Sequence, residues 1–253
     1  MGKIISIVNH KGGVGKTMTS QNLGAALALS GKKVLLVDFD PQCNLTSQTI
    51  TEATVPSISN VLNDDLKVLG KEVQPNLFIL PGAEELDEDS LNLAAMDDVK
   101  EASHVLKTAL KTCKNDYDFI LIDAAPGSSM LMVNAITAAD VILVPISDKN
   151  SINGAKKLSK IIKAYKVKAK GYYLLTRYDG RLSIHKEIRN LLITKNREAL
   201  LYTTIRQCEQ LNQAACQGLD IFRYNKKSNG AADYMDLATE IIGQGQGDEA
   251  MPF

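Results

Sequence analysis

The sequence contains no hydrophobic run long enough to cross a membrane. A membrane-spanning helix needs about 20 consecutive apolar residues, and charged or polar residues interrupt the apolar stretches of this 253-residue chain well before that length. The amino terminus leads into a short strand-like run and carries no cleavable signal sequence. We therefore expect a cytoplasmic protein without a membrane-spanning segment.

Cysteine is also scarce. The four cysteines, Cys43, Cys113, Cys208 and Cys216, form no CxxC pair and have no histidine nearby at the spacing of a metal site. This pattern excludes a disulfide framework and a zinc finger, and it predicts reduced, mostly structural side chains.

The composition is that of a protein with one sizeable core, because 45% of the residues are hydrophobic and no abrupt change in composition divides the chain. We expect one domain over residues 1–243. Residues 244–253 begin Gln-Gly-Gln-Gly and are predicted to form a disordered tail.

Six short apolar runs alternate with helical patterns. Such runs are typical of parallel strands buried on both faces and joined by helical crossovers. The sequence therefore predicts an α/β protein with a doubly wound, mostly parallel sheet and helices on both faces. The six predicted strands cover residues 4–8, 33–38, 77–80, 119–123, 141–145 and 172–176.

A glycine-rich segment follows the first predicted strand. Residues 11–17 read Lys-Gly-Gly-Val-Gly-Lys-Thr and precede an amphipathic helix. Glycines let backbone N–H groups surround phosphate oxygens, the second lysine can reach the β- and γ-phosphates, and the threonine hydroxyl can coordinate magnesium. The predicted nucleotide-binding residues are Lys11, Gly12, Gly13, Val14, Gly15, Lys16, Thr17 and Met18.

The loop departs from the ordinary phosphate-loop pattern, because His10 takes the place of its first glycine and Lys11 is an additional lysine. In this it resembles the deviant Walker A motif of the ParA/MinD family of ATPases. Residues 34–42, Val-Leu-Leu-Val-Asp-Phe-Asp-Pro-Gln, resemble the family's second motif. Residues 119–127, Phe-Ile-Leu-Ile-Asp-Ala-Ala-Pro-Gly, resemble its Walker B strand and turn. The resemblance implies a P-loop NTPase fold that binds ATP and Mg²⁺.

Three aspartates at the ends of predicted strands provide acidic groups for such a site. Phosphoryl transfer to water needs a residue that orients the water and a metal that neutralises charge. The resemblance implies that Asp40 orients the water and that Asp123 holds magnesium with Thr17. Asp38 would support the magnesium or the loop. The alternative for each aspartate is a helix cap.

Lys11 implies a dimer, because in the family this additional lysine reaches the nucleotide of a partner subunit. A cation supplied from a partner can stabilise the charge of the transition state. The resemblance thus implies an ATP-dependent homodimer whose catalytic residues are Lys11, Lys16 and Asp40. The alternative is a solvated loop lysine. We interpret His10 as a neutral, hydrogen-bonded residue without a catalytic role.

Positive and negative charges cancel overall but are unevenly distributed. Residues 38–98 contain 13 acidic residues and two lysines, whereas residues 151–230 contain 17 lysines and arginines and five acidic residues. The basic half favours the DNA backbone as a partner, and the alternative is a solvated helix face. Without a helix-turn-helix or zinc finger, binding to double-stranded DNA should be non-specific. The predicted contacts are Arg189, Arg206, Arg223, Lys226 and Lys227.

Features of other branches of the ParA/MinD family that this sequence lacks indicate the branch that it most resembles. MinD relatives end in a basic amphipathic helix that binds membrane, and residues 244–253 do not resemble it, so we expect no membrane partner. Iron-protein relatives hold an iron–sulfur cluster with cysteines, a role that Cys113 does not fit. We expect no amino-terminal DNA-binding domain of the kind that some plasmid ParA proteins carry, since the phosphate loop lies close to Met1. The sequence most resembles short, Soj-like segregation ParA proteins.

This resemblance implies an ATP hydrolase, slow without its partner, that partitions plasmid or chromosomal DNA. The ATP-bound dimer would coat the nucleoid, and a ParB-like centromere-binding protein would stimulate hydrolysis and release. Three alternatives stay open: positioning of a protein cargo on the nucleoid, a nucleotide-gated switch with little turnover, and a ligase resembling dethiobiotin synthetase. Arg177 and Tyr178 either hold the adenine or cap the sheet.

Overall fold

The computed structural model describes residues 2–52, 54–64 and 66–243, and the tail predicted over residues 244–253 lies outside them. Eight strands form one sheet. They are β1 Lys3–Ile7, β2 Val34–Phe39, β3 Lys71–Gln74, β4 Leu77–Leu80, β5 Phe119–Ala124, β6 Val141–Ile146, β7 Lys170–Tyr178 and β8 Leu200–Arg206. Their order across the sheet is β3-β4-β2-β5-β1-β6-β7-β8.

Helices join the strands and cover the sheet. Within the ranges described, none of them is both long and apolar enough to span a bilayer. The α-helices are α1 Lys16–Leu29, α2 Asn44–Ser47, α3 Ile58–Asn63, α4 Leu86–Ala94, α5 Val99–Ala102, α6 Val105–Lys111, α7 Met130–Ala138, α8 Lys149–Ala164, α9 Ser183–Asn196, α10 Glu209–Cys216, α11 Ile221–Asn225 and α12 Asn229–Gly243. Two short 3₁₀ helices cover Lys114–Asp116 and Arg197–Ala199.

Two hydrophobic clusters lie on opposite faces of the sheet. Alternate residues of β1 show this division, because Ile5 and Ile7 pack with α1 and α12, whereas Ile4 packs with α6 and α7. Every residue of β2, β5 and β6 is buried. Burial on both faces explains why these strands are continuously apolar instead of alternating with polar residues. The prediction of a doubly wound α/β sheet is confirmed.

The sheet differs from the prediction at its two edges. The six predicted strands are present with ends shifted by up to two residues, but β3 and β8 were not predicted. The β3 strand reads Lys-Glu-Val-Gln, pairs antiparallel with β4, and is at most half-buried. The β8 strand has two consecutive threonines at its centre. Edge strands face solvent more than central strands do, so neither presents a continuous apolar run.

The position of β1 in the sheet determines where the site forms. The β1 strand pairs in parallel with β5 on one side and β6 on the other. The connection after β1 leads to β2 on one side of it, whereas the connection after β5 leads to β6 on the other side. Where the strand order reverses in this way, a crevice opens at the carboxyl ends of the strands. The loops after β1, β2 and β5 all begin at that edge.

Candidate nucleotide site

The loop between β1 and α1 has the backbone of a phosphate-binding loop. Gly13 and Gly15 have φ angles of 71° and 90°, in the left-handed region that side chains with a Cβ rarely adopt. Gly15 directly precedes α1. The loop therefore ends at a helix amino terminus, where free N–H groups and the helix dipole favour an anion.

Contacts from β7 and from the turn after β5 fix this loop. The Thr176 hydroxyl on β7 donates a hydrogen bond to the Val14 carbonyl oxygen, at 2.8 Å. The Gly127 N–H, in the turn after β5, donates to the His10 carbonyl oxygen at 3.1 Å. Burial and the nearby Lys157 lower the pKa of His10, which favours the neutral imidazole that the sequence predicted.

The start of the loop is held by two residues that the sequence analysis missed, Asn9 and Asp148. The buried Asn9 amide donates to the carbonyl oxygens of Pro145 and Ser151, at 2.9 and 3.1 Å, and its Oδ1 accepts from the Lys11 N–H at 3.0 Å. The Lys11 ammonium forms an ion pair with Asp148, which also caps α8. In this structure Lys11 therefore contacts its own subunit.

The environment of Lys16 suits a phosphate ligand. Its side chain is buried, with 7% of the residue exposed. Desolvation lowers the pKa of this ammonium, while the negative charges of Asp123 and Asp40 raise it. A cation that has already lost much of its hydration interacts strongly with an incoming anion, because the local dielectric constant is low.

Asp123 and Asp38 lie opposite each other on the adjacent strands β5 and β2. Burial, then repulsion by Asp38, raises the pKa of Asp123 to about 7, against hydrogen bonds from Thr17 and Ser20 and the charge of Lys16. Burial likewise raises the pKa of Asp38 to about 6. Two carboxylates in a dry site favour a cation between or beside them.

The residues present fit a magnesium ion bound with a nucleotide. Asp123 Oδ2 and Asp38 Oδ1 are buried without a hydrogen-bond partner, and the Thr17 hydroxyl lies close enough to Asp123 to lower the pKa of its carboxyl. In the described ranges, no three His, Cys, Asp or Glu side chains form a metal-binding group. Magnesium commonly takes one or two protein ligands and fills its shell with phosphate oxygens and water.

Asp40, the predicted catalytic aspartate, lies at the same end of the sheet. It is 8% exposed, and its Oδ1 accepts a hydrogen bond from the Gln42 N–H at 3.1 Å. Its charge acts on Lys16. Asp40 therefore faces the phosphate loop, where a carboxylate can accept a proton from water.

A cleft adjoins the phosphate loop. Gly15, Met18, Thr176, Arg177 and Tyr234 are among the residues that line it. The Arg177 backbone has a φ angle of 51°, so the chain turns sharply where β7 ends. Arg177 therefore lies beside the phosphate loop.

Two of the five residues predicted to bind DNA are engaged in ion pairs. Arg206 is paired with Asp233, and Arg223 is paired with Asp220; both contacts are 2.6 Å long. The remaining three are exposed, with Arg189 on α9 and Lys226 and Lys227 directly after α11. In the described part of the chain, no ion pair involves these three.

A glycine-rich loop between a central parallel strand and a helix, with a buried lysine and carboxylates from the neighbouring strands, defines a P-loop nucleotide-binding protein. Comparison with known proteins gives the family.

A family described as "AAA domain" matches residues 2–172. The sporulation initiation inhibitor protein Soj of Bacillus subtilis (strain 168) is 35% identical, over 97% of this chain and 100% of its own. The chromosome-partitioning ATPase Soj of Treponema pallidum (strain Nichols) is 33% identical, over 96% of this chain and 98% of its own. The septum site-determining protein MinD of Pyrococcus horikoshii OT3, solved with Mg-ADP, superposes with a TM-score of 0.80 at 27% identity, over 97% of this chain and 98% of that chain.

These similarities span nearly the whole chain, and the chain belongs to the ParA/MinD family of P-loop ATPases.

Proposed function

We propose that this protein hydrolyses ATP in a DNA-partitioning cycle, as an ATP-dependent homodimer on the nucleoid. The observation that carries the proposal is the pair of lysines in one phosphate loop. Lys16 is buried beside two carboxylates, whereas the Lys11 side chain lies at the front of the loop, about one-third exposed, and pairs with Asp148 at the surface. The first suits the protein's own nucleotide, and the second suits a partner's.

The hydrolytic site would work mainly by positioning. The N–H groups of the loop and the Lys16 ammonium would bind the β- and γ-phosphates, and the Thr17 hydroxyl and Asp123 would hold magnesium, with Asp38 in support. Magnesium, when bound, neutralises charge on the phosphates. Asp40 would orient water in line with the bond that breaks. The products are ADP and phosphate.

Dimerisation would complete the site. The Lys11 backbone is fixed by Asn9, so only the flexible side chain has to leave Asp148 and extend towards the partner's phosphates. Because the Lys11–Asp148 contact is partly exposed on both sides, breaking it costs little. Phosphates are stronger ligands for an ammonium than one solvated carboxylate is, since they carry several negative charges.

Double-stranded DNA would bind through exposed cations of the basic half of the chain. Arg189, Lys226 and Lys227 support this role, because none of them is engaged in an ion pair in the described ranges. Arg206 and Arg223 would contribute less than the sequence suggested, since each already neutralises a carboxylate. A ParB-like partner would then stimulate hydrolysis and release the dimer.

The adenine would lie in the cleft beside the loop. Met18 and Arg177 line this cleft, and an arginine can stack on an aromatic ring. An Arg177→Ala variant should bind ATP more weakly with little effect on the turnover rate of the bound nucleotide.

The proposal is tested by measuring ATP turnover and the oligomeric state of three proteins. The wild type should hydrolyse ATP slowly and dimerise with ATP. Lys16→Ala should do neither, because it loses the phosphate ligand, whereas Asp40→Ala should bind ATP and accumulate as a dimer. Light scattering after size-exclusion chromatography gives the mass. Turnover that survives Asp40→Ala, or a wild type that stays monomeric with ATP, would contradict the proposal.

A further inference from the structure

The chain turns sharply immediately after Asp40. The Cys43 N–H donates a hydrogen bond to the Asp40 carbonyl oxygen at 2.9 Å, and Cys43 adopts a left-handed backbone with a φ angle of 50°. The four-residue helix α2 follows at Asn44. A turn and a single helical turn have little stability of their own, so the position of Asp40 depends on what this segment is attached to.

Thr46 on α2 provides the attachment. Its backbone N–H donates to Asp38 Oδ2 at 2.8 Å, and its hydroxyl donates to the same oxygen at 2.6 Å. The hydroxyl also accepts a hydrogen bond from the Gly82 N–H at 2.8 Å. The Thr46 side chain therefore acts as donor and acceptor at once, and it joins three separate segments of the chain.

Both anchors belong to the rigid centre of the sheet. Asp38 is fully buried on β2, and Gly82 follows β4, the strand that pairs with β2. The fit is close, because a Cβ atom added at Gly82 would lie 3.0 Å from Asp38 Cγ. The segment that carries Asp40 is thus attached at its start by β2 and at its end by Thr46.

We propose that Thr46 is a positioning residue for hydrolysis: its hydroxyl fixes the segment of residues 40–47 to Asp38 and Gly82, and so holds the Asp40 carboxylate where it orients the attacking water. This inference rests on the proposed role of Asp40. It also gives Asp38 a task besides support of the magnesium, since one of its oxygens is occupied by Thr46. A misplacement of about 1 Å can reduce a rate about 100-fold.

Substitutions at Thr46 separate positioning from simple stability. Thr46→Val keeps the shape and the backbone N–H but removes the hydroxyl, and Thr46→Ser keeps the hydroxyl. We expect Thr46→Val to lower kcat about 10- to 100-fold while KM for ATP changes less than about threefold, because orienting water acts in the transition state and hardly in ground-state binding. Thr46→Ser should restore kcat to within about threefold of the wild type.

Oligomeric state provides a readout independent of turnover. Thr46→Val should accumulate as an ATP-bound dimer, as Asp40→Ala does, because phosphate binding and Lys11 are untouched. Ser47→Ala is the matched control: the hydroxyl of this exposed neighbour on α2 donates to the Asn44 carbonyl oxygen of the same short helix, and its loss should leave kcat and dimerisation unchanged. Thermal denaturation of each nucleotide-free variant checks folding, and Thr46→Ala replaces Thr46→Val if the latter does not fold.

The outcomes are distinguishable. An inactive Asp40→Ala beside a fully active Thr46→Val or Thr46→Ala would overturn the role of Thr46 and leave the proposed function intact. Loss of ATP binding and dimerisation in Thr46→Val, without rescue by Thr46→Ser, would also overturn it, since that result indicates general structural damage. Full turnover of Asp40→Ala would overturn the proposed function and this inference together.

Discussion

Replacing Asp123 with asparagine should stabilise the nucleotide-free protein at and above neutral pH. Asp123 is 1% exposed, and its pKa is raised to about 7 by burial and by the charge of Asp38. At pH 8 the carboxylate is ionised in a site that disfavours the charge. Asparagine has the same shape and remains neutral, and its Oδ1 can keep the hydrogen bond that Ser20 donates to Asp123.

The sign and the size of this stabilisation follow from the raised pKa of Asp123. Between the ordinary value of 3.8 and about 7, the folded protein holds a proton at Asp123 that the unfolded chain has lost. The free energy of unfolding of the wild type therefore falls as the pH rises through this window, and the full penalty is present above pH 7. A pKa raised to about 7 corresponds to about 4 kcal/mol. The raised pKa of Asp38 also lowers the free energy of unfolding as the pH rises, up to about pH 6. The free energy of unfolding of Asp123→Asn therefore still falls with rising pH, but by less than that of the wild type.

The assay is urea unfolding of nucleotide-free protein in EDTA, at several pH values from 4.5 to 8.5. The free energy of unfolding of Asp123→Asn should exceed that of the wild type by about 2 to 4 kcal/mol at pH 8 and by much less at pH 4.5. Asp97→Asn, at an exposed carboxyl, is the control and should follow the wild type. Equal free energies of unfolding for Asp123→Asn and the wild type at pH 8 would contradict the raised pKa of Asp123. A difference between these free energies that does not change with pH would contradict it as well.

Three further changes test the loop and the basic surface. Asp148→Ala should free Lys11 and strengthen ATP-dependent dimerisation by up to about fivefold in sedimentation experiments. The lost helix cap should lower the free energy of unfolding by about 1 kcal/mol. Unchanged dimerisation would show that the ion pair does not restrain Lys11. Gly15→Ala should weaken ATP binding at least tenfold by calorimetry, because its φ of 90° strains any residue with a Cβ, and normal binding would contradict the geometry of the loop. A double variant, Lys226→Ala with Lys227→Ala, should lower DNA affinity equally for all sequences. It should also reduce the slope of log affinity against log salt concentration by about 2. An unchanged slope would mean that these two lysines are solvated and do not contact DNA.

The sequence predicted those parts of the fold and site that depend on neighbouring residues. Continuous apolar runs marked the central strands, because strands buried on both faces have no polar side. The phosphate loop could be predicted because its glycines, lysines and threonine are consecutive, and Asp40 and Asp123 could be predicted because each directly follows such a run. The partly polar edge strands β3 and β8 lacked this signal.

What the sequence could not predict depends on contacts between distant segments. Asn9 anchors the loop to Pro145 and Ser151, which lie 136 and 142 residues away. Thr46 meets Gly82 across 36 residues, and an isolated threonine in a polar stretch carries no local sign of such a role. In the sequence, Asp148 has only the features of a helix cap. Its ion pair with Lys11 depends on the fold, which brings the two residues together.

The sequence shows that residues 151–230 carry an excess of positive charge, but not which of these cations lack an ion-pair partner. Arg206 is paired with Asp233, 27 residues further along the chain, so a count of charges overstates the cations available to DNA. The Arg223–Asp220 pair is closer, at i and i+3, and could have been recognised from helix spacing.

The decisive experiment measures binding of Asp40→Ala to non-specific duplex DNA with ATP, with ADP and without nucleotide, each at about 50 and 200 mM salt. Wild-type protein with ATP is the comparison. We expect tight binding only with ATP, at least about tenfold weaker at the higher salt. No binding in any state, or binding that is the same with and without nucleotide, would contradict the claim that ATP controls attachment of this protein to DNA.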